Sequence, residues 1–288
     1  MSDIAIVTDS VASIPERLLK ELNIHWVPYY IHRGQEVLRD LVTIQRDAFY
    51  QWILTARELP KTACPGPGDY YELYESLAAQ GVEEIVSIHM TSKGSGAYQS
   101  AIDARDMIAE SSPRLRIEVM DTLNVSMCHG WIVIEAARTA LAGKPVNQVV
   151  EKIQSMIPVT RMIQTADTLR YLYLGGRIGR AKHLLGSLLR IKPLIGMENG
   201  EIVALGRAHS QGEAHQAITR LVEKAVGYKG RIKAAYMHAA AQADVLKLKA
   251  MIEERMTVVE SYVCELSPAL GVHSGPGTTG LCYYPLQD

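Results

Sequence analysis

An α/β fold in two domains is what the sequence predicts, and three observations carry that expectation. Apolar runs suited to buried strands alternate with stretches of helical periodicity through the first half, polar and glycine-bearing segments follow the strand ends, and the length of 288 residues exceeds the usual single domain. Strands are expected at 4–7, 24–31, 84–88 and 117–120, with helices at 67–79, 98–109 and 126–142 placing apolar residues every three or four positions. Such alternation gives parallel βα units. In an open parallel sheet the ligand crevice lies at the carboxyl ends of the strands, so Thr8-Asp9-Ser10, the segment 91–96 and Asp121-Thr122 should line one mouth.

After Gly143-Lys144-Pro145 a helix to about Ile157 leads into different material, and the boundary falls near Pro158. The expected domains are 1–157, with the parallel sheet, and 158–288, with a mixed sheet. Strands in the second are expected at 162–165, 193–197, 202–208, 232–238 and 258–264, with helices at 212–226 and 241–255. Glu198-Asn199-Gly200-Glu201 separates two short apolar runs as a hairpin turn would, which brings antiparallel pairing.

Composition narrows the function classes. Thirty basic and 31 acidic residues nearly cancel, and no basic run interleaved with aromatics is present, so nucleic acid is not an expected partner. Cys64, Cys128, Cys264 and Cys282 are scattered without CxxC spacing, which suits reduced thiols and a cytoplasmic home. The chain enters a strand at once, with no basic and apolar leader, and contains no run of about 18 apolar residues, so no stable membrane insertion is expected. The nine histidines form no HExxH pattern, and neither a metal nor a cofactor is expected.

Four segments could carry chemistry. Lys61-Thr62-Ala63-Cys64-Pro65-Gly66-Pro67-Gly68-Asp69 reads as a shaped loop before a helix, and positioning that helix would account for it. Thr91-Ser92-Lys93-Gly94-Ser95-Gly96 follows a strand and opens a helix, offering hydroxyls and free backbone N–H groups to an anion; a plain helix cap by Ser95 explains it equally well. It has neither the GxGxxG nor the GxxxxGK[ST] pattern of a nucleotide site. His273 stands beside the glycine-rich stretch Ser274-Gly275-Pro276-Gly277, where an imidazole can donate to an anion or serve structure alone. Asp167-Thr168-Leu169 through Gly175-Gly176-Arg177 reads as a short helix, started by Asp167 as cap and stopped at the glycine pair. Arg177 and Arg180 beyond it could meet an anionic partner or stand solvated.

Taken in order, these segments resemble the DegV family, whose members include the fatty-acid-binding subunits of bacterial fatty acid kinase. The similarity runs nearly end to end: Thr8-Asp9-Ser10, the Thr62 loop, Ser92 to Gly96 with Tyr98-Gln99-Ser100-Ala101, Asp121-Thr122 with Ser126 and Gly130, Asp167-Thr168-Leu169 to Ile178, Ile191-Lys192-Pro193, and His273 to Gly277. The resemblance implies a three-layer parallel N-terminal domain, a two-layer mixed C-terminal domain, and a long-chain fatty acid between them. It also implies that Thr62, Ser95 and His273 bind the carboxylate, and Ser92, Gly96, Gly275 and Gly277 in the same segments are further ligand-binding candidates. A carrier of this kind is no enzyme itself, has no catalytic residue, and presents its acid to the catalytic subunit of a separate ATP-dependent kinase for acyl phosphate formation.

Two departures stand out. The family's usual Thr-Ser-Gln-Pro stretch is Thr62-Ala63-Cys64-Pro65 here, one hydroxyl fewer, and its basic segment after the second-domain hairpin is Arg207-Ala208-His209-Ser210. Arg177, Arg180 and Arg207 are the partner-facing candidates. With 11 Met and one Phe, the tail walls should be flexible and aliphatic, and Leu184, Leu185, Leu188 and Leu189 are candidates for a tail cover. The competing reading is a serine-dependent hydrolase or phosphotransferase using Ser95 with His273 as base, against which stands the absence of a GxSxG elbow.

Overall fold

The computed structural model describes residues 4–56, 58–187 and 191–286. Its first sheet is built from β1 (Ile4–Asp9) and β2 (Ile24–Val27), with α1 (Glu16–Glu21) between them, followed later by β6 and β7. The run expected as one strand over 24–31 breaks at Pro28, which has no N–H for a ladder. Its second part, β3 (Tyr30–Arg33), joins β4 (Glu36–Arg39) and β5 (Lys61–Ala63) in a separate antiparallel sheet of order β4-β3-β5 that the sequence reading did not anticipate. Between β4 and β5 lies α2 (Arg46–Ile53). The Lys61 segment, expected as loop, therefore begins as an edge strand, with Thr62 opposite Ile31.

Next come α3 (Pro67–Ala79), β6 (Glu84–His89), α4 (Ala97–Ile108), β7 (Arg116–Asp121), α5 (Ser126–Leu141) and α6 (Val146–Met156). The first sheet has order β2-β1-β6-β7, all parallel. Its central strands are buried along nearly their whole length, as strands covered on both faces must be. Tyr70, Tyr74 and Leu77 of α3 and Ala101, Ala104 and Ile108 of α4 pack on one face. The other face meets α5 and α6, giving three layers.

The second sheet has order β10-β9-β8-β13-β11-β12, formed by β8 (Arg161–Thr165), β9 (Lys192–Glu198), β10 (Glu201–Ala208), β11 (Arg231–His238), β12 (Thr257–Glu265) and β13 (Thr279–Pro285). Only β11 and β12 pair in parallel, so the sheet is mixed. The hairpin at 198–201 turns through Asn199 (φ 50°) and Gly200 (φ 82°), the left-handed pair a two-residue connection requires. Between β8 and β9 lie α7 (Arg170–Leu174) and a 3₁₀ stretch (Gly179–Ser187); α8 (Gln211–Val226) and α9 (Gln242–Arg255) cover the outer face of the sheet. At the start of α7 the Thr168 hydroxyl, not the expected Asp167, accepts from Arg170 N–H, while Asp167 instead accepts from Lys192. Besides α1, α2 and the small antiparallel sheet, the sequence reading missed β13, which lies in the interior of this sheet, and α10 (Pro268–Ser274), where only a glycine-rich turn was expected.

The inner face of the second sheet and the first sheet share one apolar core through α5. Trp131, fully buried, donates its indole N–H to the Cys282 carbonyl (3.3 Å). Beside it Lys233 bridges Glu135 (2.8 Å) and Glu260 (2.9 Å), and Arg138 contacts both carboxylates. Burial pushes Glu260 up, but hydrogen bonds from Arg138, Tyr262 and Lys233 outweigh it and hold the carboxyl at about 2. Among the described residues no helix is long and apolar enough to cross a membrane.

Candidate functional site

A cavity of about 180 Å³ opens between the strand ends of the first sheet and the inner face of the second. Its walls are largely aliphatic, from Val11, Met90, Met162, Leu172, Met197, Leu266 and Leu270, so methionine supplies three of the walls, as the composition suggested. One region is polar, and three chain segments converge there. β5 brings Thr62, the loop before α4 brings Ser95, and the last turn of α10 brings His273.

The seven-residue α10 is fixed at its N-terminal end. Ser267 caps it by accepting from Leu270 N–H, and the buried Asp40 carboxylate accepts from Ala269 N–H (3.1 Å) and Ser10 O–H (2.6 Å). Burial lifts the Asp40 carboxyl to about 6 despite those bonds. Gly271 lets the helix lie flush on α2, since a Cβ there would sit 2.5 Å from Phe49.

His273 Nε2 lies 2.7 Å from Thr62 Oγ1, while its Nδ1 is buried without a partner among the described residues. A buried N–H lacking an acceptor costs more than a bare lone pair, so the proton belongs on Nε2, which donates to Thr62. Burial, with the nearby Arg177 charge, brings the imidazole down to about 4, so it is neutral near pH 7. The Thr62 proton is thereby free to point elsewhere. Ser95 is arranged alike: Tyr29 OH lies 2.7 Å away and Ala97 N–H donates to it at 3.2 Å. Tyr29 is buried and its phenol is raised well above its usual range by burial and by Asp9, so it keeps its proton, and either hydroxyl of the Tyr29–Ser95 pair can donate to the other. With Tyr29 as donor, Ser95 keeps a proton for a ligand oxygen as Thr62 does.

The remaining expectations divide. Gly96 lines the cavity, its Cβ position 3.2 Å from Cys64 Sγ, so the Cys64 wall and the glycine fit each other. Ser92 is exposed and does not line it; its N–H donates to Asp121. Gly275 (φ 74°) and Gly277 (φ 83°) stay behind the site, where a Cβ would strike the Tyr171 ring and the Asp167 carboxyl. Of the three loops expected at the mouth, 91–96 is there, but Val11 and Val125-Ser126 line the cavity in place of Thr8-Asp9-Ser10 and Asp121-Thr122. Arg177 is at the cavity, donating to the carbonyls of Gly94 (3.3 Å) and Gly175 (2.7 Å) and so tying the two halves. Arg180 pairs with Glu198, and Arg207 is exposed on β10. Leu184 is buried in a small cluster with Leu172 and Ile178; Leu188 and Leu189 lie outside the described residues, as does the Leu185 side chain. Tyr29 was missed, for nothing near it in sequence marks it as a partner of Ser95.

Fold and cavity together define the class: an α/β protein of two principal sheets with an amphipathic cavity at their junction. The chain belongs to the DegV family, whose profile matches residues 3–286. A DegV domain-containing protein of Caldanaerobacter subterraneus is 30% identical over 283 residues, covering 98% of this chain and 99% of its own. One from Streptomyces coelicolor is 33% identical over 281 residues, covering 96% and 97%. Among solved structures, the fatty-acid-binding DegV family protein of Thermus thermophilus superposes with a TM-score of 0.91 at 29% identity, covering 99% of this chain and 100% of that one. DegV of Bacillus subtilis, a fatty acid binding protein, gives 0.88 at 26%, again covering 99% and 100%.

Proposed function

We propose that this chain binds one long-chain fatty acid in the cavity, its carboxylate held by Thr62 and Ser95 with His273 and Tyr29 behind them. It then presents that carboxylate to a separate ATP-dependent kinase for acyl phosphate formation. The observation that carries the reading is the pair of hydroxyls, each hydrogen-bonded to a buried side chain, on the wall of a largely aliphatic cavity. The fatty acid binding of the Thermus and Bacillus relatives supports the ligand class.

Energetics divide the labour. A sixteen-carbon tail buried at ~0.8 kcal/mol per methylene gives a gross gain on the order of 10 kcal/mol before ordering costs. Each headgroup bond to a charge adds roughly 1.5–3 kcal/mol, so the hydroxyls fix position while the tail supplies affinity. Two neutral donors hold an oxygen less tightly than a bidentate arginine would, which suits its later attack on a phosphoryl group. The hydrolase reading is disfavoured by the geometry: Ser95 bonds to Tyr29, a phenol that keeps its proton, and His273 bonds to Thr62. Native mass spectrometry with lipid extraction of freshly purified protein is the test. A stoichiometric fatty acid, with no retention of an equal-length fatty alcohol, is expected; equal retention of both removes the carboxylate site.

A further inference from the structure

The cavity wall also carries two polar side chains that the fatty acid reading leaves unused. Strand alternation sends Met162 and Gln164 of β8 to the cavity and Ile163 to the helix-covered core. Gln164 is 8% exposed, and its carboxamide has no hydrogen-bond partner among the described residues. Its antiparallel neighbour Gly280 carries no side chain, and a Cβ there would lie 2.5 Å from that of Gln164. Ser126, the first residue of α5, lines the same cavity; it is 4% exposed, and its hydroxyl is likewise without a partner. None of the bonds joining Thr62, His273, Ser95 and Tyr29 reaches either residue.

A wall shaped only for methylenes would carry aliphatic groups at both positions, because burying a carboxamide or hydroxyl unpaired is unfavourable. A plain acyl chain laid on Gln164 would strip its amide of water and return nothing. A ligand hydroxyl both donates and accepts, as a carboxamide and a serine hydroxyl also do, so a chain hydroxyl can satisfy either residue. We propose that the preferred ligand is a long-chain fatty acid bearing a hydroxyl along its chain, with Gln164 and Ser126 as the subsite for that oxygen. The subsite rests on the carrier reading and names its ligand class more closely.

The test titrates delipidated full-length protein with stearate and with hydroxystearates whose hydroxyl occupies successive chain positions, by calorimetry and by competition in native mass spectrometry. At least one positional isomer is expected to bind about tenfold tighter than stearate, equivalent to ~1.4 kcal/mol. Gln164→Met, which keeps the side-chain length, should abolish that preference while tightening stearate, and Ser126→Ala should narrow it, with melting curves confirming that both variants fold. The isomer scan on unaltered protein decides the matter even where a variant does not fold. Equal affinity for stearate and every isomer overturns the subsite and leaves ordinary fatty acid carriage standing; a preference that survives both substitutions overturns the assignment to these residues. Failure of all the acids to bind removes the carrier reading and the subsite with it.

Discussion

Gly175→Ala is the sharpest probe of the headgroup geometry, because it moves His273 without altering any group that would touch the ligand. Gly175 has φ −76°, so alanine brings no backbone strain. A Cβ there would sit 2.2 Å from His273 Nδ1 and 2.9 Å from Cε1. Uncrowded heavy-atom contact needs about 3.5 Å, so the ring must retreat by roughly 1 Å or more. That retreat breaks the 2.7 Å bond to Thr62. Losing one such bond costs about 0.5–1.5 kcal/mol, or roughly two- to twelvefold in acid affinity, with about 1–3 kcal/mol of stability lost to overpacking. Fatty acid affinity by calorimetry, alongside histidine NMR signals, reads the effect. Gly227→Ala is the control, for its φ of 84° strains an alanine while no atom lies within 4 Å of the new Cβ and the residue does not line the cavity. Wild-type affinity in Gly175→Ala with an unmoved His273 signal would refute the relay; so would equal losses in both variants.

Ser95→Ala and His273→Ala should each lose roughly 1–3 kcal/mol of headgroup interaction and still retain lipid. Kinase-coupled acyl phosphate formation should fall much further in both, since phosphoryl transfer depends steeply on position; unchanged phosphorylation of the bound acid removes them from the site. Tyr29→Phe keeps the ring and deletes the donor behind Ser95, so affinity should fall by about 0.5–1.5 kcal/mol, and its effect should largely vanish in a Ser95→Ala background. Additive losses in the double variant would show that the two hydroxyls act independently. With pH, His273 and His238 are held at about 4 by burial and the charges of Arg177 and Arg46 respectively, so the folded chain binds fewer protons than the unfolded between 6.5 and 4. The ligand-free protein should therefore lose stability as pH falls through that window, with Asp40, raised to about 6 by burial, opposing part of the loss. His273→Gln should flatten the melting temperature between pH 7 and 5, and an identical slope in the variant counts against a buried neutral imidazole.

Sequence patterning read the long elements well because their signals are local. The turn at Asn199-Gly200 and the strands it joins were legible for the same reason. β13 was lost because Gly275 to Gly280 dominates its approach, although its residues are almost all buried. α10 was lost because seven residues opening at Ser267-Pro268 and carrying Gly271 show too little periodicity to register. Pairings across the chain are a different matter. Thr62 and His273 stand 211 residues apart and Tyr29 and Ser95 stand 66 apart. The first pair came into view through the order of motifs shared with a family, and the second had no such signpost. Gln164 looks like any polar residue in a strand until its neighbours show which face it takes.

The core shared through α5 bears on how the protein reports its own loading. Buried Trp131, the Lys233 bridges and the Arg177 tie join the two sheets, which favours their unfolding together, and the cavity lies on that seam. A ligand at a hundred times its dissociation constant adds about 2.7 kcal/mol to a folded state that alone binds it. Because that increment falls on the whole molecule, heating should yield one transition whose midpoint climbs with acyl supply, and susceptibility to proteolysis in the cell should track the pool of free acid. On the proposed reading, shortage of acid would then lower the amount of the protein as well as its occupancy, coupling abundance to ligand supply without any dedicated sensor.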